Sequence, residues 1–342
     1  MVRPRARATV RDVAAETGLS IATVSRVLNG HSNVAPHTRD LVLQAVARLG
    51  GQAPRPRAAQ ETVSSGATIY VRCPYLLTDY FGLIVSSIGE TVDLHGGQVI
   101  LGTGEAAQRA PVLATLPDRP GVAGAILILP PEPGEELMRL RDRGFPFVVI
   151  DPRTPLPRDI VAVSAAHFAG ARGLMAHVVG LGHRRVGIIG GPVRWLPSEA
   201  RLAGYTASLA DVGVLPSSDL QRHVPEPTTE HGYRAARELL DLPERPTALV
   251  AFNDKMAVGV LRAAAERGLR VPGDLSVAGF DDIDLSRATL PMLTTVRQPL
   301  QEMGRMAVTL LMRLLNRHTL EALHVSLGTD VVVRDSTGPV PR

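Results

Sequence analysis

Two hydrophobic periodicities divide the chain. Over residues 9–49 apolar side chains recur at helical spacing and no strand-like run occurs. Val10, Val13 and Ala14 mark a first helix, Val24, Val27 and Leu28 a second, and Leu41, Val42, Ala45, Val46 and Leu49 a third. Thr9 is an N-cap type of residue, and Asp12 places an acid in the first turn, where the helix dipole favours it. Gly18 predicts a left-handed cap, Ser20 starts the second helix, Asn29-Gly30 stops it and Thr38 opens the third, Arg39–Leu49. Two short helices joined by a Gly-containing turn form a helix-turn-helix pattern, although three helices of this size also make an ordinary small bundle.

From Ala67 the pattern changes to short apolar runs alternating with helical stretches. Ala67–Arg72, Gln98–Leu101, Ala123–Leu129, Pro146–Ile150, Arg185–Ile189, Thr247–Phe252 and Leu275–Gly279 predict strands. Tyr80–Leu94, Glu135–Arg143, Phe168–Leu181, Ser198–Asp211, Glu230–Leu240, Lys255–Arg267 and Leu300–Leu315 predict helices. This alternation predicts an α/β fold with parallel sheets, and the chain is long enough for two of them. Open parallel sheets bind ligands outside the carboxyl ends of their strands, so two facing sheets would share one ligand in the cleft between them. Gly50–Gly66, GGQAPRPRAAQETVSSG, is a boundary by its Pro, Gly, Ser and Arg content. The expected units are a headpiece (1–50), a linker (51–66) and a core (67–337).

Composition narrows the function classes. With 342 residues, 45% of them hydrophobic and 20% charged, the chain can bury a core without covalent staples. One cysteine, Cys73, rules out an internal disulfide and a cysteine zinc site. The N-terminus is basic without an apolar stretch, and the longest apolar run, around Val122–Leu129, is far short of the ~20 residues of a membrane helix. The expected location is the cytoplasm, at the nucleoid, with no membrane partner. The net charge of +4 hides an asymmetry: residues 1–60 hold nine Arg against Asp12, Glu16 and Asp40, a balance of +6, and the rest carries −2. A basic head on a near-neutral body suits a polyanionic partner for the head, or a solvated arm. All but one of the 37 cationic side chains are Arg, the exception being Lys255, so a single Arg is weak evidence of function.

The stretch TVRDVAAETGLSIATVSRVLNGHSNVAPHTRDLVLQAVARLG resembles the DNA-binding headpiece of the lactose-repressor (LacI) family. The motifs T-x-x-D-V-A, G-x-S-x-x-T-V-S-R-x-L-N and V-x-x-x-T-R stand in the family's order. The resemblance implies that the second helix enters the major groove with Ile21, Ala22 and Arg26 at base edges. Arg26 can bond guanine O6 and N7 together, whereas Ile21 and Ala22 offer apolar contact only, for example to a thymine methyl. Thr9, Ser20, Thr23, Ser25, Asn29 and Thr38 can hold phosphates; Ser20 and Thr38 read equally as helix caps. In the linker the family pattern breaks. Gly51 replaces a Tyr, Pro54 and Pro56 fall where a hinge helix would form, and Gln60 stands near the position of a minor-groove Leu. Arg55 and Arg57 can instead track a narrow minor groove.

LGHRRVGIIGGP, EARLAGYTASL, ALVAFNDKMAVGVLRAAAERGLRVPGDLSVAGFDD, PMLTTVRQPLQEMGRMAVTLL and VVVRDSTG are similar to effector-core motifs of the same family, in the same order. The resemblance implies a periplasmic-binding-protein-like core of two Rossmann-like subdomains (67–164 plus 296–325, and 165–295 plus 326–337). It also implies a homodimer, without a coiled-coil tetramer, on a pseudo-palindromic operator, and a sugar or polyol effector. Arg201 matches an arginine that clamps effector oxygens, and Asp254 an acid that accepts from effector hydroxyls, with Asn253 beside it; an ordinary ion pair is the other reading. Tyr80 and Phe81 follow the first strand, where the family places aromatics against the effector, and read equally as core. Trp195 can stack on a sugar face or cover the sheet. Ala166-His167 stands where the family often has Asp-Asn, which removes an acceptor and inserts an imidazole. Asp281 can reach the cleft, although turn capping suits both it and Asp282, and His183 reads as structural.

Other classes fit less well. Gly102-Thr103-Gly104-Glu105-Ala106-Ala107 is a G-x-G-x-x-A run, but it lacks the acid a dinucleotide site needs about 20 residues on. There is no G-x-S-x-G, H-E-x-x-H or P-loop. The expectation is a regulator rather than an enzyme, with no catalytic residue, metal or cofactor; a sugar-binding protein of the same core fold is the alternative.

Overall fold

The computed structural model describes residues 10–20, 23–24, 27, 35–49, 66–73, 75–104, 112–215 and 217–341. The chain splits into two compact units, Met1–Ser65 and Gly66–Arg342.

In the first unit, α1 (Val10–Thr17) and α2 (Pro36–Arg48) flank a short helical stretch containing Thr23, Val24 and Val27. Val13, Ala14, Val24, Val27, Val42, Ala45 and Val46 form its core, and Leu19 and Leu49 close it. Gly18 has φ +66°, the left-handed cap that the sequence predicts. The start of α2 is corrected. Ala35 is its N-cap and Pro36 its first residue, because proline's fixed φ suits that position, so Thr38 lies inside the first turn instead of opening it.

The second unit contains two parallel sheets. The first has β1 (Thr68–Cys73), β2 (Gln98–Thr103), β3 (Val122–Ile128), β4 (Phe147–Ile150), β5 (Ala162–Ala165) and β11 (His324–Leu327), in the order β11-β5-β4-β3-β1-β2. The second has β6 (Val186–Gly190), β7 (Gln221–His223), β8 (Ala248–Ala251) and β9 (Ser276–Ala278), in the order β7-β6-β8-β9. An antiparallel pair, β10 (Thr295–Arg297) and β12 (Asp330–Val332), lies beside β9 through the Ala278–Thr294 bridge. The principal helices are α3 (Asp79–Leu94), α4 (Gly134–Asp142), α5 (His167–Gly180), α6 (Leu196–Asp211), α7 (Thr229–Leu240), α8 (Asp254–Glu266) and α9 (Leu300–Leu315).

The unbroken apolar runs form central strands because both sheet faces are covered. On β3, Ile126 and Ile128 pack with α3 and α9, while Ala125 and Leu127 pack on the other face with Leu137 and Leu140 of α4. In the second sheet Leu249 and Ala251 face α7 and α8, and Ala248 and Val250 face α5 and α6. Complete burial of an Ile or Leu in such a layer contributes about 1.5–3 kcal/mol.

The predicted strands and helices appear with small shifts at their ends. Five strands, β5, β7, β10, β11 and β12, have no counterpart among those that the sequence pattern predicts. They are three or four residues long, too short for a periodicity, and β11 is half-exposed. Their placement matters because the chain passes between the sheets at β5 to α5, at β10 to α9 and at β11 to β12. The passages bind one another: the Ala166 N–H donates to Leu327 O (2.8 Å) and the Thr329 hydroxyl to Ala166 O (3.4 Å).

Helices α7 and α8 meet through glycine. A Cβ at Gly232 would lie 2.4 Å from Met256 O, and one at Gly259 2.2 Å from Thr229 O. Backbone cannot yield there as a flexible side chain would, so Gly259→Ala is expected to cost about 1–3 kcal/mol in urea unfolding. On α3, a Cβ at Gly89 would have nothing within 4 Å. Gly89→Ala is expected to be neutral or stabilising by up to about 1 kcal/mol. Equal shifts for both variants would contradict this packing.

Candidate functional site

In the headpiece the Ser20 Oγ accepts the Thr23 N–H at 3.1 Å and lies 2.9 Å from the Thr23 hydroxyl. Ser20 therefore caps the second helix and remains exposed. Thr38, half-buried, has its hydroxyl 3.2 Å from His37 Nδ1. An ion pair between Glu16 and Arg48 (3.5 Å) ties α1 to α2. The expectations on Thr9, Ile21, Ala22, Ser25, Arg26, Asn29, Arg55, Arg57 and Glu105–Ala107 lie outside the described residues.

In the core, a chain of polar contacts runs from the first sheet to the second, beside the crossovers. The Tyr80 hydroxyl, on α3, donates to Asp151 Oδ2 (2.8 Å). Asp151, at the end of β4, accepts the Ala165 N–H (3.3 Å) and His167 Nε2–H (3.0 Å) on Oδ1. His167 is the first residue of α5, and its Nδ1 accepts from the Arg201 guanidinium at 3.4 Å. Arg201, on α6, donates to Phe252 O, lies over the Phe252 and Phe280 rings (4.3 and 3.7 Å) and is 3.9 Å from Asp281 Oδ1. That oxygen of Asp281 also accepts Gln298 Nε2–H at 2.6 Å. Arg201, Asp151, His167 and Asp281 are all buried.

Several of these positions are strained at strand ends. Asp151, Asp281 and Asp282 have φ of +46°, +124° and +57°, a costly conformation for any residue but glycine and one that clusters at ligand sites. Their surroundings tune them differently. Burial alone would raise the Asp151 carboxyl, but His167, the Tyr80 hydroxyl and Arg201 outweigh it and hold its pKa below the usual value. Burial dominates at Asp281 and, although Arg201, Gln298 and Lys255 oppose it, raises the pKa to about 7. At Asp282 the Arg334 and Arg297 partners outweigh burial and keep the pKa low. Asp282 thus pins the turn to the β10–β12 pair, whereas Asp281 joins the polar chain.

The remaining predicted residues take varied places. Asp254 is fully buried, and its oxygens accept the Thr295 hydroxyl (2.5 Å) and the Ile283 N–H (3.1 Å); burial and nearby Asp281 hold its pKa well above the usual range. Asn253 caps α8 by accepting the Met256 N–H at 2.9 Å. Phe81 is half-buried, stacked on Tyr75 at 4.6 Å. Trp195 precedes α6, edge-on to Phe252, with the Arg153 guanidinium 4.5 Å from its ring centroid. His183 is the buried structural residue that its sequence position suggests, 2.8 and 3.0 Å from the Thr247 and Ser276 hydroxyls. Asp151, Arg153, Gln298, Tyr75 and Phe252 belong to the site without being singled out by the sequence. Asp151 carries a usable signal, an acid directly after the apolar run FVVI at the carboxyl end of a strand.

The cluster is under-satisfied. Arg201 Nε, Ser198 Oγ, Tyr205 Oη and Gln298 Oε1 are buried without hydrogen-bond partners among the described residues. Donors and acceptors in one place suit a ligand that offers both, as a polyol does.

A carboxyl whose pKa is raised by folding holds its proton more tightly in the folded chain. Asp281 therefore contributes its full stability at low pH and loses it as pH rises through about 7. Between pH 5 and pH 8 the wild type is expected to lose about 2 kcal/mol relative to Asp281→Asn in chemical unfolding. A difference that does not change with pH would contradict the buried, proton-holding carboxyl.

Comparison with known proteins places this geometry. The family model described as bacterial regulatory proteins, lacI family, matches residues 9–50, and that of the periplasmic binding protein-like domain matches residues 175–337. The transcriptional regulator MalR of Streptomyces coelicolor is 34% identical over 348 residues, covering 96% of each chain. The structure of the transcriptional regulator CelR–cellobiose complex is similar over 96% of this chain and 100% of that one, with 29% identity and a TM-score of 0.72. The lac repressor dimer bound to operator and the anti-inducer ONPF is similar over 97% and 100%, with 28% identity and a TM-score of 0.70. Among the described residues no helix is long and apolar enough to cross a membrane. A helix-turn-helix head, a core of two parallel sheets and relatives matched along nearly their whole length lead to one assignment: the chain belongs to the lacI family of bacterial regulatory proteins, as a transcriptional regulator.

Proposed function

We propose that the chain is a homodimeric repressor that binds a pseudo-palindromic operator, and that a small polyhydroxylated effector held between the two core subdomains modulates its affinity. The observation that carries this reading is the polar chain Tyr80–Asp151–His167–Arg201–Asp281–Gln298, which spans both sheets beside the crossovers and leaves buried polar atoms unpaired among the described residues. A hydroxylated ligand that donates to Asp281 and accepts from Arg201 would complete the chain and favour one spacing of the two sheets. Differential binding of that kind is what shifts a conformational equilibrium. A coupling of about 1–3 kcal/mol between effector and operator corresponds to a 5- to 150-fold change in affinity. The operator dimer and the cellobiose complex among similar structures support this reading.

In the headpiece we assign base reading to Arg26, with Ile21 and Ala22 in apolar contact, and phosphate contacts to Thr9, Ser20, Thr23, Ser25, Asn29 and Thr38, with Arg55 and Arg57 along the minor groove. In the cleft, Arg201, Asp281, His167 and Trp195 are assigned to the effector, with Tyr80 and Phe81 lining its first-sheet side. Asp254 and Asn253, whose polar atoms are engaged within the fold, support the site from behind.

Binding to fluorescent operator duplexes tests the head. Arg26→Ala is expected to lose about 1–3 kcal/mol of discrimination at one base pair and to keep the salt dependence of the remaining phosphate contacts. Unchanged preference across all operator variants would contradict the base-reading assignment. For the cleft, Arg201→Lys keeps the charge but loses the planar fork. It is expected to bind operator, yet to respond at least tenfold more weakly to the sugar that releases the wild type. A full response would remove Arg201 from the site.

A further inference from the structure

One cation beside the cleft has its charge unanswered among the described residues. Arg153 lies just beyond β4, in the first subdomain, and its guanidinium is 4.9 Å from the Tyr75 ring centroid and 4.5 Å from that of Trp195, which belongs to the second. The Arg153 carbonyl accepts the Leu196 N–H at 2.8 Å, so this residue joins the two halves. Its Nε is buried without a hydrogen-bond partner among the described residues. Burial, and then the like charge of Arg72, lower its pKa to about 10. Arg72 itself faces Glu132. Across the cleft, Lys255 Nζ donates to the neutral Thr78 hydroxyl at 2.8 Å. Trp195 also lines a separate open cavity with Pro192–Arg194 and His223–Pro225, of which Arg153 is not a lining residue.

Aromatic rings attract a cation but neutralise no charge, and their contact uses none of its N–H donors. A partly buried guanidinium without a carboxylate is stabilised by an anion brought from outside. Its fork matches the paired oxygens of a phosphate or carboxylate.

We propose that the effector is an anionic sugar derivative, a polyol bearing a phosphate monoester or a carboxylate, with Arg153 as the charge partner of its oxyanion and Trp195 against its ring face. This rests on the reading of the cleft as the effector site; it adds the ligand's charge. The Arg201–Asp281 end then serves the hydroxyls and the Arg153 end the anion.

The test is calorimetric titration of the full chain with matched sets: glucose, galactose and ribose, each against its phosphate monoester and its uronic or aldonic acid. The expected result is that an anionic member binds at least tenfold more tightly than its neutral parent. The phosphate and carboxylate arms tell the two anions apart. Arg153→Met is expected to erase the difference and Arg153→Lys to keep most of it, with thermal unfolding to verify that both variants fold. A neutral parent that binds as tightly as its anions overturns the charge assignment and leaves the cleft reading standing. An anionic preference that survives in Arg153→Met overturns the role of Arg153. Failure of every compound to bind the wild type overturns the cleft reading, and the proposal with it.

Discussion

The core depends on one buried imidazole. His167 stands where the chain first leaves one sheet for the other, and it bonds with both nitrogens, to Asp151 of the first subdomain and to Arg201 of the second. In a poorly screened interior such contacts are strong, and an unpaired member is costly. A change at either end of the chain reaches the other through this ring, beside the direct attraction between Arg201 and Asp151. The two flanking acids, Asp151 and Asp281, sit at positive φ, a cost that the surrounding contacts offset.

That arrangement gives the fold a division of labour. The apolar layers around β3 and β8 fix each sheet with its helices and contribute most of the burial. The three crossovers fix little by themselves, since they consist of short strands and a few backbone bonds. Polar side chains hold them instead, and polar contacts can exchange partners with a ligand at low cost, as close-packed Ile and Leu layers cannot. The basic headpiece folds around its own small valine and alanine core and forms a separate compact unit.

Much of this is legible in the sequence, for physical reasons that differ by region. Runs such as AILI and FVVI are buried on both faces and announce central strands without ambiguity. Helix ends marked by Gly18 or Ser20 follow from backbone and capping chemistry. The strands β5, β7, β10, β11 and β12 are silent because three or four residues carry no period. Arg201, Asp281 and His167 are legible as a site only through resemblance to the lacI family. Their meeting depends on the crossovers, and hence on contacts far apart in the chain. Asp254, whose motif suggests a ligand contact, also accepts the Thr295 hydroxyl and the Ile283 N–H within the fold, contacts that no local pattern foretells. Arg153 escapes notice because nothing local separates a strand-end Arg from an ordinary loop residue, whereas Asp151 is marked only by its place directly after the apolar run FVVI.

The most direct test of the central claim is a double-mutant cycle between Asp151→Asn and Arg201→Lys, read by chemical unfolding of the full chain. These side chains are joined through His167, so their effects are expected to fail to add by at least about 1 kcal/mol. The coupling is expected to shrink when the cycle is repeated in a His167→Ala background, leaving the direct attraction between Arg201 and Asp151. Effects that add to within about 0.5 kcal/mol in the native background would contradict a relay through the imidazole.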